Sequence, residues 1–121
     1  MFELMVEDSF SAAHQLKGYE GPCEKLHGHT FKVQVYLSGD SQDKLGMFVD
    51  FKIIRKKLKD CIEELDHSNL SEFAAFKSEN PTAENLAKYI FKKLGKEIAA
   101  GPKISKVTVF ESPTAAASYY E

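Results

Sequence analysis

Four histidines and one of the two cysteines sit where their spacing could do chemistry. His27 and His29 are two residues apart at the head of a stretch, His27 to Leu37, that alternates as a strand does. Residues two apart on a strand project from the same face, so these two imidazoles can reach one metal ion. His14 lies at the end of the preceding predicted strand, and an antiparallel neighbour would bring it in as a third nitrogen. Three protein ligands with an open fourth position are the pattern of a catalytic zinc site. The spacing alone leaves surface or hydrogen-bonded core histidines as an equal alternative. Cys23 lies in a Gly/Pro loop just ahead of these histidines, near Lys25. It is open to three readings: a thiol whose pKa a cation or metal lowers, a fourth ligand that closes a structural site, or an ordinary loop thiol.

Asp66-His67 follows the first predicted helix. An Asp can orient an imidazole and hold its proton-accepting tautomer. A His at a helix C-terminus can equally satisfy free carbonyls. Glu111 ends a predicted strand, where a carboxylate is usually solvated. If buried, it would grip the N–H edge of a purine-like heterocycle through two hydrogen bonds. Cys61 falls on the apolar stripe of a helix and reads as a small buried hydrophobe. Lys52, Arg55, Lys56, Lys57 and Lys59 read as a solvated helix face.

The elements that must position these residues follow from periodicity. Phe2 to Ala13 reads as a strand, with Phe2, Leu4 and Val6 alternating against Glu3, Met5 and Glu7. Gln15 to Lys25, with Gly18, Gly21 and Pro22, is a loop. In the second strand His27, His29, Phe31, Val33, Val35 and Leu37 share one parity. Ser38 to Gly46 is a polar turn. Asp50 to Leu65 predicts an amphipathic helix capped by Asp50, with Phe51, Ile54, Leu58, Cys61, Ile62 and Leu65 on one face. A helical turn is expected near Ser71 to Phe76. Thr82 caps a second helix, Glu84 suits its first-turn dipole, and Gly101-Pro102 ends it. Lys103 to Glu111 and Ala115 to Tyr120 predict two further strands. The order β-β-α-α-β-β predicts an α+β fold, a four-stranded antiparallel sheet with both helices on one face. The sheet edges then need cover, which oligomerisation can supply.

The 121 residues suit a single domain, 1–121, without repeat or linker. A net charge of -2 excludes a generally basic nucleic-acid binder. No stretch approaches the length of a membrane span. Two cysteines that nothing pairs, and an N-terminus without a basic region or long apolar run, predict a protein of the reducing cytoplasm.

Five segments in order carry a resemblance: Phe10-Ser11-Ala12-Ala13-His14, Cys23-Glu24-Lys25-Leu26-His27-Gly28-His29, Leu65-Asp66-His67, Asn80-Pro81-Thr82-Ala83-Glu84-Asn85 and Val109-Phe110-Glu111. Together they resemble the signature segments of the 6-pyruvoyl-tetrahydropterin synthase and 6-carboxytetrahydropterin synthase family, almost from end to end. The resemblance implies a tunnelling fold, a homohexamer built as a dimer of trimers, and active sites at subunit interfaces. It implies Zn2+ held by His14, His27 and His29, catalysis by Cys23, Asp66 and His67, and a pterin ring anchored by Glu111. Thr82 and Glu84 match a segment that lines the pterin pocket. The implied substrate is 7,8-dihydroneopterin triphosphate. The three residues between Cys23 and His27 resemble the spacing of the carboxy-forming enzymes of queuosine biosynthesis, whereas pyruvoyl-forming relatives have a longer insertion. Ser71, where relatives often carry Asn, departs from the pattern. A pyruvoyl-forming enzyme and a non-enzymatic zinc-stabilised module are the alternatives.

Overall fold

The structure, a computed structural model, describes residues 1–18, 21, 25–98 and 101–121. Strands β1 (Phe2–His14) and β2 (His27–Gly39) pair antiparallel along their full length, from Phe2 opposite Gly39 to His14 opposite His27. The last pair of this ladder thus sets two of the candidate ligands side by side. Helix α1 (Phe51–Glu63) begins where the Asp50 side chain accepts the Lys52 amide at 2.9 Å, the expected N-cap. A two-residue strand, β3 (Ser68–Asn69), and two short 3-10 turns, Leu70–Glu72 and Ala74–Phe76, lead to helix α2 (Ala83–Glu97). Thr82 caps α2 by accepting the Asn85 amide at 3.1 Å. Strands β4 (Lys103–Ser112) and β5 (Ala115–Tyr119) complete the chain.

The sheet order is β3-β1-β2-β4-β5. The expected four-stranded antiparallel sheet is therefore corrected to five strands, mixed in direction. The addition is β3, which pairs parallel with β1 through Ala12 opposite Ser68 and Ala13 opposite Asn69. Two residues are too few for a periodic signal, so only the tertiary contact reveals the strand.

The inward residues of β1 (Val6, Phe10, Ala12) and β2 (Phe31, Val33, Val35, Leu37) keep the predicted parity. They meet Val107 and Val109 of β4, Ile54, Leu58, Cys61 and Ile62 of α1, and Leu86, Ala87, Ile90 and Leu94 of α2 in one core. Both helices thus cover the same sheet face. Burying a side chain of this size stabilises by roughly 1.5–3 kcal/mol, which makes the core a rigid support for whatever the sheet ends carry.

Candidate functional site

His14, His27, His29 and Glu111 converge at one end of the core, with one donor atom of each lying within 4.8 Å of the others. Parity explains it: His14 continues the inward row of β1, and His27 and His29 continue that of β2. The three imidazoles pack edge to face, with ring centroids 4.6, 4.9 and 4.7 Å apart. Phe31 lies beneath, 5.4 Å from His14 and 5.5 Å from His29, and stacks on Phe10 at 5.2 Å. The aromatic floor leaves the rings little freedom to turn.

The hydrogen bonds set the tautomers. His14 Nδ1 donates to the Pro81 carbonyl at 2.8 Å, and His27 Nδ1 donates to the Lys25 carbonyl at 2.7 Å. With protons on both Nδ1 atoms, both Nε2 atoms present bare lone pairs, yet they stand only 3.1 Å apart. Two acceptors so close repel unless a positive charge lies between them. His29 Nε2 is buried and has no hydrogen-bond partner among the described residues. Burial lowers the His29 pKa and the neighbouring His14 and His27 push the same way, against an opposing pull from Glu111. The neutral ring is the form that ligates metal.

Glu111 Oε1 lies 3.2 Å from His14 Nε2 and 3.3 Å from His29 Nε2. Separations of this size are those between donors about 2.0 Å from a shared tetrahedral centre. Glu111 reaches the cluster by the same parity: it continues the inward row of Val107 and Val109 on β4, one residue past the Phe110–Lys32 pair with β2. An orphaned buried nitrogen, two Nδ1–H tautomers fixed by carbonyls and a nearby carboxylate all fit a divalent cation bound by nitrogen ligands.

The second predicted pair, Asp66 and His67, is anchored to Ser11 of β1. His67 adopts a left-handed backbone, φ 57°, a conformation uncommon for residues other than glycine. Its amide donates to the Ser11 carbonyl at 2.5 Å, and the Ser11 amide donates to Asp66 Oδ1 at 2.9 Å. The same carboxylate oxygen lies 3.1 Å from His67 Nδ1. The Ser11 amide, then the His67 charge, hold the Asp66 carboxyl below its ordinary value. Ser11, Ala13, Thr30, His67 and Ser68 line an open depression of about 530 Å³ that His29 also borders. Adjacent residues usually point apart; here the left-handed turn brings ring and carboxylate together.

Other expected site residues stand differently. Thr82 spends its hydroxyl on the α2 cap, and Glu84 is exposed in the first turn of that helix. Neither lines the His29–His67 depression. Cys23 lies outside the described residues. Cys61 is a buried free thiol in α1, and burial pushes its pKa up to about 12, as suits a core residue. The local reading missed Ser11 and the Pro81 carbonyl. Their roles depend on contacts 55 and 67 residues apart in sequence, and only the quoted segments around them marked the places.

The 6-pyruvoyl tetrahydropterin synthase family model matches residues 3–121. A relative from Synechocystis, 6-carboxy-5,6,7,8-tetrahydropterin synthase, is 38% identical, with 99% of this chain and 94% of the relative covered. A dihydroneopterin monophosphate aldolase from Pyrococcus furiosus is 36% identical over 85% of this chain and 83% of its own. The solved structure of Caenorhabditis elegans 6-pyruvoyl tetrahydropterin synthase superposes with a TM-score of 0.90 at 31% identity, covering 99% of this chain and 95% of that one.

Proposed function

This chain belongs to the 6-pyruvoyl tetrahydropterin synthase family, and from that premise we propose that it is a zinc-dependent carbon–carbon lyase. Its reaction converts 7,8-dihydroneopterin triphosphate and one water to 6-carboxy-5,6,7,8-tetrahydropterin, acetaldehyde and triphosphate, a step of queuosine (7-deazaguanine) biosynthesis. The observation that carries the metal reading is the pair of facing Nε2 atoms 3.1 Å apart on histidines whose Nδ1 protons are already engaged. The Synechocystis relative's name supports the carboxy branch, as does the short connection from Cys23 to His27.

His14, His27 and His29 would hold the zinc. Bound there, zinc supplies Lewis acidity and a template for the substrate's side-chain hydroxyls. The chain's own residues do the rest. Asp66 holds the His67 ring by Nδ1, so Nε2 can take a proton from the side chain and return it. Cys23, as thiolate, serves as the second proton-transfer group. Glu111 accepts the paired N–H groups of the pterin edge, the task a carboxylate performs and an amide cannot. Thr82 and Glu84 belong to a segment that lines the pterin pocket. The open strand edges of β3 and β5 support a homohexamer, a dimer of trimers, since closing sheets across subunits covers such edges. No helix is long and apolar enough to cross a membrane, and the buried free thiol of Cys61 suits a reducing cytoplasm. We assign it no nucleic-acid partner.

Two relatives with other names keep a second reading alive: one forms a pyruvoyl product by its name, the other is named a monophosphate aldolase. A structural zinc site with Cys23 as fourth ligand is less favoured, because the Synechocystis and Pyrococcus furiosus relatives are enzymes by name. Turnover of dihydroneopterin triphosphate that requires zinc and is lost in His27→Ala tests the reading. Full turnover in the metal-stripped protein would contradict it.

A further inference from the structure

His14 is wholly buried, and its Nδ1 is fixed by the Pro81 carbonyl. That carbonyl belongs to neither helix nor sheet: α2 starts after the Thr82 cap, and its first backbone bond runs from the Leu86 amide to Thr82 O. Something else must hold Pro81 in place. The hydrogen bonds single out Asn80. Its side chain clamps Lys17 from both sides, with Oδ1 accepting the Lys17 amide at 2.9 Å and Nδ2 donating to the Lys17 carbonyl at 2.9 Å. Its own carbonyl accepts twice, from the Thr82 amide at 2.9 Å and from Asn85 Nδ2 at 2.8 Å. The first of these closes a three-residue turn centred on Pro81, whose ring fixes φ at a value such a turn accepts. The second ties the turn to α2.

We propose that Asn80, with Asn85 behind it, is a positioning residue for the metal centre: it fixes the Pro81 carbonyl so that His14 keeps its proton on Nδ1 and its lone pair on Nε2. The inference rests on the zinc reading above. It also gives the Asn80-Pro81-Thr82-Ala83-Glu84-Asn85 segment a task distinct from pterin binding. The segment joins the loop after β1 to the start of α2, and so carries the order of both into the tautomer of one imidazole. Without the clamp, the carbonyl drifts and the ring is free to place its proton on Nε2, which removes the lone pair a metal needs. Outer partners of metal-bound histidines typically matter by about 10–100-fold in metal affinity. Asn80 acts one step further out, so about 10-fold is expected.

The test uses the full-length protein and zinc. Zinc affinity is measured by competition with a chelator for wild type, Asn80→Ala, Asn80→Asp and Asn85→Ala. The ring-nitrogen shifts of His14 are recorded in the metal-free forms by 15N NMR. Asn80→Ala should bind zinc about 10-fold more weakly and show His14 moving from the Nδ1–H form to a mixture. Asn80→Asp keeps the acceptor for the Lys17 amide but loses the donor, and should fall between. Asn85→Ala deletes a single hydrogen bond and carries the test if Asn80→Ala does not fold. A purely structural role would lower the melting temperature of the metal-free variants yet leave zinc affinity and the His14 shifts as in wild type. That result in Asn85→Ala, or in a folded Asn80→Ala, overturns the proposal. His14→Ala separates the two readings: if it binds zinc as wild type does, the zinc site itself is misassigned. If it loses zinc while the asparagine variants do not, only the positioning role fails.

Discussion

The Asp66 carboxylate lies 3.1 Å from Nδ1 of His67, and both residues are anchored to the backbone of Ser11, one through its amide and the other through its carbonyl. The pair is thus fixed to β1, the strand that carries His14. The proposed proton-transfer couple and a candidate metal ligand share one rigid element, three residues apart at their anchor points. Such shared support keeps the relative placement of reacting groups within the tolerance catalysis needs.

Replacing Asp66 by Asn keeps an oxygen for the Ser11 amide but removes the carboxylate that lies against His67 Nδ1. Asp66→Asn should lower kcat by about 100-fold, within the usual span for general acid–base groups, with zinc content and KM nearly unchanged. Steady-state kinetics beside metal analysis checks this. An unaltered kcat would remove the pair from the reaction.

Phe31 is fully buried and supports two of the candidate ligands from below. Phe31→Ala should cost about 3–5 kcal/mol of stability through the cavity it leaves, and it should also weaken zinc binding. Urea unfolding of the metal-free variant measures the first effect and chelator competition the second. A loss below about 1 kcal/mol would mean that the site collapses around the missing ring.

Glu64 joins the end of α1 to α2, bonded to Lys93 and accepting the Tyr89 hydroxyl at 2.7 Å. The Lys93 bond, then the Tyr89 bond, hold the Glu64 carboxyl below its ordinary value. A depressed folded-state value means the stabilisation is present above the unfolded carboxyl's value, near 4.5, and is lost as pH falls through the lower folded value. Since the side chain is nearly half exposed, Glu64→Gln should cost under about 1 kcal/mol at pH 7. The gap to wild type should close in acid. Denaturant unfolding across pH 3 to 7 reads it (about that range brackets the carboxyl titration). A gap that stays constant across the range would contradict the assignment.

The two thiols should separate chemically. Cys61, buried and pushed up to about 12, should resist iodoacetamide until the protein unfolds. Cys23, assigned to proton transfer, should be the residue modified in the native protein, with loss of activity and retention of zinc. Peptide mass mapping decides between them. Zinc release on native modification would instead favour Cys23 as a ligand.

Much of this site could be read from local pattern because strand parity is a local property. His27 and His29 on one face, in line with Phe31 and Val33, follow from a period of two, and the inward row of β1 delivers His14 by the same rule. The caps at Asp50 and Thr82 were legible for a similar reason, since a cap bonds residues two or three positions away. What escaped is long-range or too short to have a period. The parallel pairing of Ser68 and Asn69 with β1 occupies two residues. The Pro81 carbonyl meets His14 across 67 positions. Glu111 stood out as a strand-end carboxylate and shares the parity of the inward Val107 and Val109, but its approach to His14 and His29 depends on the β2–β4 pairing, which is long-range.

The central claim is that this three-histidine site cleaves a carbon–carbon bond of a pterin side chain. Its most direct test is to incubate the zinc-loaded protein with 7,8-dihydroneopterin triphosphate, trap released aldehyde and follow the pterin by mass spectrometry. Acetaldehyde and 6-carboxy-5,6,7,8-tetrahydropterin should appear in equal amounts, with triphosphate released. A pterin that keeps every side-chain carbon, with no aldehyde, would contradict it and place the chain with the pyruvoyl-forming enzymes.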